Sequence, residues 1–272
     1  MKYEKKYIML HYLHNKNFPK VTGSVSKSRF EYIVKKNLKN NFIYTFDDGL
    51  KSQYFIAKQV LEKYNLKGIF FINTFHLQNK YNYNEISKFF IKIHYKNIED
   101  YFKDFLKLLK SSFQFKVGQI NKAKKKFSYY KPEEIKLRIL RSKNLVLYNK
   151  ILIKMMKNKK FDYKKIHKSI YMNKNEILDL SKKHIIGAHT HSHLFNFDKL
   201  SKKKQQNEII TNKIILEKIT KKKIIHFSYP VGKYNNDTLD ILKDLKIFYA
   251  FKNNSIKSSN SLTIPRININ KI

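Results

Sequence analysis

Three short apolar runs, Lys6–Leu13, Asn41–Phe46 and Gly68–Asn73, constrain the fold of this chain more than any other feature. Each is rich in β-branched and aromatic residues and reads as a buried strand. Between the first two, after a loop at Val21–Ser26, Lys27–Lys36 places Phe30, Ile33 and Val34 on one helical face. After the second, Phe55, Ile56, Ala57, Val60 and Leu61 recur at helical spacing through about Lys63. Strand, helix, strand at this interval predicts parallel strands joined by crossover helices, an α/β fold.

The rhythm stops near Thr74 and resumes near Tyr171. In between, Ile98–Leu109 and Pro132–Met156 read as helices, with lysine-rich loops such as Lys122–Lys126. The alternation then returns as Lys174–Ser181 (helix), His184–Ala188 (strand), Leu200–Thr220 (helix) and Ile224–Tyr229 (strand). Asp237–Leu245 (helix), Ile247–Phe251 (strand) and a closing strand at Leu262–Ile267 complete it. The expectation is one α/β domain from residues 1–74 and 171–272, interrupted by a helical insertion at 75–170. No internal repeat is apparent.

Charge is the loudest compositional feature: 58 basic against 20 acidic residues, a formal +38. Only four of the basic residues are arginine, Arg29, Arg138, Arg141 and Arg266. Phosphate and base recognition favour arginine's planar fork over lysine's point charge. The chain is also rich in Asn, Ile, Phe and Tyr, which share AT-rich codons with Lys. We read the lysines as a solvated surface set by base composition and expect no nucleic-acid partner. A basic nucleic-acid- or polyanion-binding protein is the alternative. With no cysteine, disulfides, thiolate zinc sites and a cysteine nucleophile are excluded. No run approaches the roughly 18 apolar residues of a membrane span, and Tyr7–Leu10 is too short for a signal-peptide core. A cytoplasmic location is expected.

Two segments carry chemistry. Thr45-Phe46-Asp47-Asp48-Gly49 ends a predicted strand, at the edge where parallel α/β folds bind ligands. Adjacent carboxylates on an extended strand point to opposite faces, so one can bind a metal while its neighbour acts as base. Alone, the segment also suits an ordinary Asp-Gly turn. His189-Thr190-His191-Ser192-His193 follows another strand. His189 and His193 are spaced for one helical turn, which would present both on one face and turn His191 away. Together Asp48, His189 and His193 make a one-carboxylate, two-histidine set, the usual shell of a hydrolytic divalent ion such as zinc, with Asp47 beside it to accept a proton.

These residues resemble the polysaccharide deacetylases, the NodB-homology carbohydrate esterases of family 4. Thr45–Gly49 is similar to the family's first motif and His189-Thr190-x-x-His193 to its second. Phe227-Ser228-Tyr229-Pro230-Val231-Gly232 looks like the third, one wall of the active-site groove. The resemblance implies a distorted (β/α) barrel and metal-dependent removal of an N-acetyl group from a sugar of a polysaccharide or its precursor. It assigns Asp48, His189 and His193 to the metal and Asp47 to the base. The backbone N–H of Tyr229 would face the tetrahedral oxyanion, and Pro230 would line the groove.

The chain departs from the pattern in two places. The family's motif-three arginine, which orients the base, is absent, and Arg266 in Ile264-Pro265-Arg266-Ile267 is the residue available to replace it. The late Leu-x-Ile-His motif is missing, since no histidine follows His226. Met9-Leu10-His11-Tyr12-Leu13-His14 resembles a variant with the acid on the first strand: His11 is the expected acid, His14 the second choice. These departures raise a further alternative, a catalytically degenerate deacetylase-like scaffold.

Overall fold

In the computed structural model, residues 5–21, 23–78, 80–109 and 131–272 are described, together with 118, 120, 121 and 124. Most of Lys122–Lys126 lies outside them. The chain divides into two compact units, Met1–Tyr81 with Ser169–Ile272, and Asn82–Lys168.

The first unit is built on a seven-stranded, wholly parallel sheet. Its strands are β1 (Lys6–Leu10), β4 (Phe42–Phe46), β5 (Ile69–Ile72), β6 (Ile185–Ala188), β7 (His226–Ser228), β8 (Tyr249–Phe251) and β9 (Ile267–Asn268). A separate parallel pair joins β2 (Leu13–His14) to β3 (Val25–Ser26). The order in the large sheet is β8-β7-β6-β5-β4-β1-β9, the curled half-barrel of a distorted (β/α) barrel. Parallel strands buried on both faces need continuous apolar runs, and all four residues of β5 are buried. Phe46 stacks on Phe70 with ring centroids 4.5 Å apart, and Phe30 meets Tyr44 and Phe46 edge-on.

Helix α1 (Lys27–Lys36) begins where the Ser26 side chain accepts the Arg29 N–H, and it buries Phe30, Ile33 and Val34. Each such side chain contributes roughly 1.5–3 kcal/mol when fully buried. The segment after β4 is a π-helical turn, Gln53–Ala57, which runs into α2 (Lys58–Lys63). The second unit holds α3 (Tyr83–His94), α4 (Ile98–Leu109), α5 (Pro132–Lys143) and α6 (Leu145–Asn158), and α7 spans Tyr163–Ile170. Asn144 splits the expected Pro132–Met156 segment by capping α6 through the Leu147 N–H. The first unit continues with α8 (Lys174–Lys183), α9 (Lys202–Thr220) and α10 (Asn236–Asp244).

Two strand expectations change. Lys6–Leu13 breaks after Leu10, and Leu13–His14 leaves to pair with β3, within the segment expected to be a loop. The closing strand Leu262–Ile267 shrinks to Ile267–Asn268 plus a bridge between Ile264 and Phe251. Pro265 has no N–H to give a ladder, and Arg266 turns its side chain inward. Among the described residues no helix is long and apolar enough to cross a membrane.

Candidate metal and catalytic centre

Strand β4 delivers Asp47 and Asp48 to the C-terminal edge of the sheet. The Asp47 N–H still donates to Leu10 O at 3.1 Å, the last rung joining β4 to β1. The backbone then turns through two left-handed residues, Asp48 at φ 79° and Gly49 at φ 67°. A Cβ at Gly49 would lie 2.8 Å from Ile72 Cγ2, so only glycine fits there. The expectation that an extended strand sends the two carboxylates to opposite faces is therefore corrected. The turn begins at Asp48, and both groups feel the charges of His11 and His189.

The segment His189–His193 is an irregular loop, not the helical turn its spacing suggested. Thr190 (φ 60°) and His193 (φ 49°) are left-handed, and Thr190 Oγ1 accepts the His193 N–H at 3.1 Å. The two imidazoles still converge, with centroids 4.7 Å apart. Both Nε2 atoms lie 3.5 Å from Asp48 Oδ1, and one ligand atom from each of the three residues falls within 4.8 Å of the others. His189 Nδ1 donates to Ser228 O at 2.7 Å, so Nε2 is the nitrogen left to face Asp48. One carboxylate oxygen and two imidazole nitrogens suit a divalent ion with coordination positions left open. Burial by itself would raise the Asp48 pKa, but His193 and His189 hold it well below the ordinary value. His191 turns away, its Nδ1 hydrogen-bonded to Thr74 Oγ1 at 2.9 Å.

Helix α9 supports this loop through residues that the sequence did not single out. Asn212 Oδ1 accepts the His189 N–H at 2.9 Å, while its Nδ2 donates to Ile72 O and Thr74 Oγ1. Glu208 Oε2 accepts the Ser192 N–H at 2.6 Å, and its carbonyl accepts that of His191. Asn212 is fully buried within the helix, a placement that the sequence does not show.

Asp47 sits in a dense hydrogen-bonded pocket. Arg266, 1% exposed, grips it with two bonds of 2.7 Å, Nη1 to Oδ1 and Nη2 to Oδ2. The same guanidinium donates to Ser228 Oγ, Thr45 Oγ1 and Lys252 O, and lies 5.5 Å over the Phe71 ring. Ser228 Oγ donates to Asp47 Oδ2 at 3.3 Å, and His11 Nε2 lies 3.9 Å from that oxygen. Burial pushes the Asp47 pKa up, but Arg266 and then His189 pull it further down, to about 2. A further unsuspected residue, Gln53 in the π-helical turn, ties Asp47 to the segment that follows β1. Its Nε2 donates to Asp47 O at 2.5 Å and to His11 O at 2.9 Å, and its Oε1 accepts the Leu50 N–H. Such turns recur at functional sites.

The remaining expected site residues lie elsewhere. The Tyr229 N–H donates to Phe251 O at 3.2 Å, so the expected oxyanion donor is spent on the sheet. Its side chain is buried, donates to Leu262 O and stacks on Tyr234, which makes it a support for the end of β7. Pro230 is buried too, and Val231 is the exposed member of that motif. Of the two histidines considered for the acid, His11 is the one beside a carboxylate. His14 lies on β2 with a buried Nδ1 that has no hydrogen-bond partner among the described residues, and burial together with Lys20 lowers its pKa.

Comparison with known proteins gives a partial sequence match and a shared fold. The polysaccharide deacetylase family model matches residues 157–250, a stretch that includes His189–His193 and Phe227–Gly232. No curated protein matches by sequence. Among solved structures, the Streptococcus pyogenes deacetylase PplD, in complex with acetate, aligns with a TM-score of 0.56 at 15% identity, over 97% of this chain and 92% of that one. IcaB from Ammonifex degensii gives 0.57 at 12% identity, over 98% and 92%. A de-N-acetylase from Aggregatibacter actinomycetemcomitans gives 0.53 at 10% identity, over 97% and 94%. Residues 157–250 are thus similar in sequence to the polysaccharide deacetylase family, and the fold of the chain is similar to that of these deacetylase structures.

Proposed function

We propose that this protein hydrolyses an N-acetyl group from a sugar of a polysaccharide or its precursor, using a divalent ion, zinc by the donor set, held by Asp48, His189 and His193. The observation that carries the reading is the convergence of these three residues beside an ionised, separately tethered Asp47. When bound, the ion would supply Lewis acidity to an acetyl carbonyl and lower the pKa of a water towards roughly 7. Asp47, its carboxylate aimed by Arg266 and Ser228, accepts the proton of the attacking water. His11, partly exposed at 3.9 Å from Asp47 Oδ2, is the residue placed to protonate the leaving amine. The products are acetate and the free amino sugar. We read Asn82–Lys168 as an insertion into this catalytic unit.

Acetate release from N-acetylglucosamine oligomers, measured with zinc titration, tests the proposal. Asp47→Asn should abolish turnover with metal retained, whereas His193→Ala should lose the metal. A protein that holds stoichiometric zinc yet deacetylates no N-acetylhexosamine substrate overturns the catalytic reading. Failure to bind zinc tightly would instead support a degenerate scaffold.

A further inference from the structure

Because the strands run parallel, the edge opposite Asp47 and Asp48 gathers the turns that lead into them. The turns before β7 and β8 border an open cavity of about 550 Å³. Its apolar part is formed by Ile225, Leu245 and Phe248, and Phe248 is 53% exposed. The next residue, Tyr249, is exposed as well. Lys221, Lys223 and Lys246 also line the cavity. Among the described residues no carboxylate pairs with their ammonium groups. Their neighbours differ: Lys213 is paired with Glu217, and Lys222 donates to Ser181 O.

Lysine is abundant along the whole chain, so charge alone distinguishes no face. What distinguishes this one is apolar surface left open between unpaired lysines. We propose that this N-terminal edge of the sheet docks on an anionic lipid bilayer, with Phe248 entering the interface and Lys221, Lys223 and Lys246 meeting lipid phosphates. A bilayer of acidic lipids satisfies both halves of the patch, since lysine stems lie along apolar surface while their heads stay at the phosphates. A nucleic acid satisfies one half only. Its backbone offers nothing apolar for Ile225 and Leu245, and no arginine lines the cavity. Docking in this way leaves the candidate centre, on the opposite edge of the sheet, facing away from the bilayer and open to a soluble or polymeric substrate.

Vesicle co-sedimentation of the full chain at physiological ionic strength tests the proposal, comparing phosphatidylcholine with phosphatidylcholine–phosphatidylglycerol mixtures. The chain should bind the acidic vesicles and leave the neutral ones. Each unpaired lysine at such a surface contributes roughly five-fold in partitioning, so K221Q/K223Q/K246Q should lose on the order of a hundred-fold. Phe248→Ser should lose roughly ten-fold through lost apolar burial, a loss that added salt does not erase. K202Q/K203Q/K204Q removes the same charge from a helix start elsewhere and should retain binding. Equal losses in the two triple variants would mean that bulk charge alone is responsible and would overturn the proposal. So would the absence of binding to acidic vesicles, or tighter binding to DNA that depends on the same three lysines. None of these readouts uses turnover, so the test stands whether or not the deacetylase reading survives.

Discussion

Replacing Arg266 by leucine strips Asp47 of the partner that most lowers its pKa, while leaving the carboxylate buried. In the native protein the drop from 3.8 to about 2 is worth on the order of 2 kcal/mol of folding stability. The folded pKa is depressed, so this stability is complete above the unfolded value and is lost as pH falls through about 2. In Arg266→Leu the burial that already pushes the pKa up acts without its main opponent, and the sign reverses. Ionised Asp47 then destabilises the fold at neutral pH, and acidification restores stability. Breaking a buried pair on one side costs about 3–5 kcal/mol, which sets the expected difference at pH 7. Arg266→Lys keeps a charge but loses the two-pronged geometry and should cost about half as much. Urea unfolding with chelator present, followed by circular dichroism because the chain lacks tryptophan, gives the difference from pH 7 down to pH 4. It should shrink steadily on acidification. A difference under about 1 kcal/mol at pH 7, or one that stays constant to pH 4, would refute the argument that this pair is a compensated buried charge.

Four further outcomes are expected. Gly49→Ala must adopt a left-handed φ and press on Ile72, so it should cost about 2–3 kcal/mol in urea unfolding and weaken zinc binding through Asp48. Gln53→Leu leaves the carbonyls of Asp47 and His11 without their amide donor; it should cost about 2–4 kcal/mol and lower kcat with little change in KM. Asn212→Leu frees the His189 backbone and should weaken zinc affinity by roughly 10–100-fold in a competition titration. Burial lowers the His184 pKa to about 4, so its contribution is complete above 6.5 and is lost as pH falls through about 4. In His184→Gln the glutamine carbonyl can still accept the Gly68 N–H, and stability should fall about 3 kcal/mol less than wild type on going from pH 7 to pH 4.

Periodicity is local, which is why helices such as Lys27–Lys36 and Ile98–Leu109 and the positions of the sheet strands could be read from the residues alone. Asp47, Asp48, His189 and His193 could be nominated for a similar reason: few residue types bind hydrolytic metals, and here they fall in two short segments at strand ends. The backbone of those segments was not legible. The left-handed turns at Asp48, Thr190 and His193 depend on what presses on the loop from neighbouring strands and from α9.

The sequence by itself determined the parallel α/β rhythm, the stretch where that rhythm lapses and the short list of residues able to do metal chemistry. It also showed that a lysine surplus almost free of arginine is weak grounds for a nucleic-acid partner. Only the tertiary structure decided which polar atoms are spent on the scaffold and which are left for chemistry. The Tyr229 N–H went to Phe251, the Gln53 amide to two carbonyls, and the Arg266 guanidinium to a carboxylate 219 positions away. The physical reason is that a hydrogen bond belongs to whichever partner packing brings within about 3 Å, and across distant segments that partner is chosen by strand order and loop path, not by spacing along the chain.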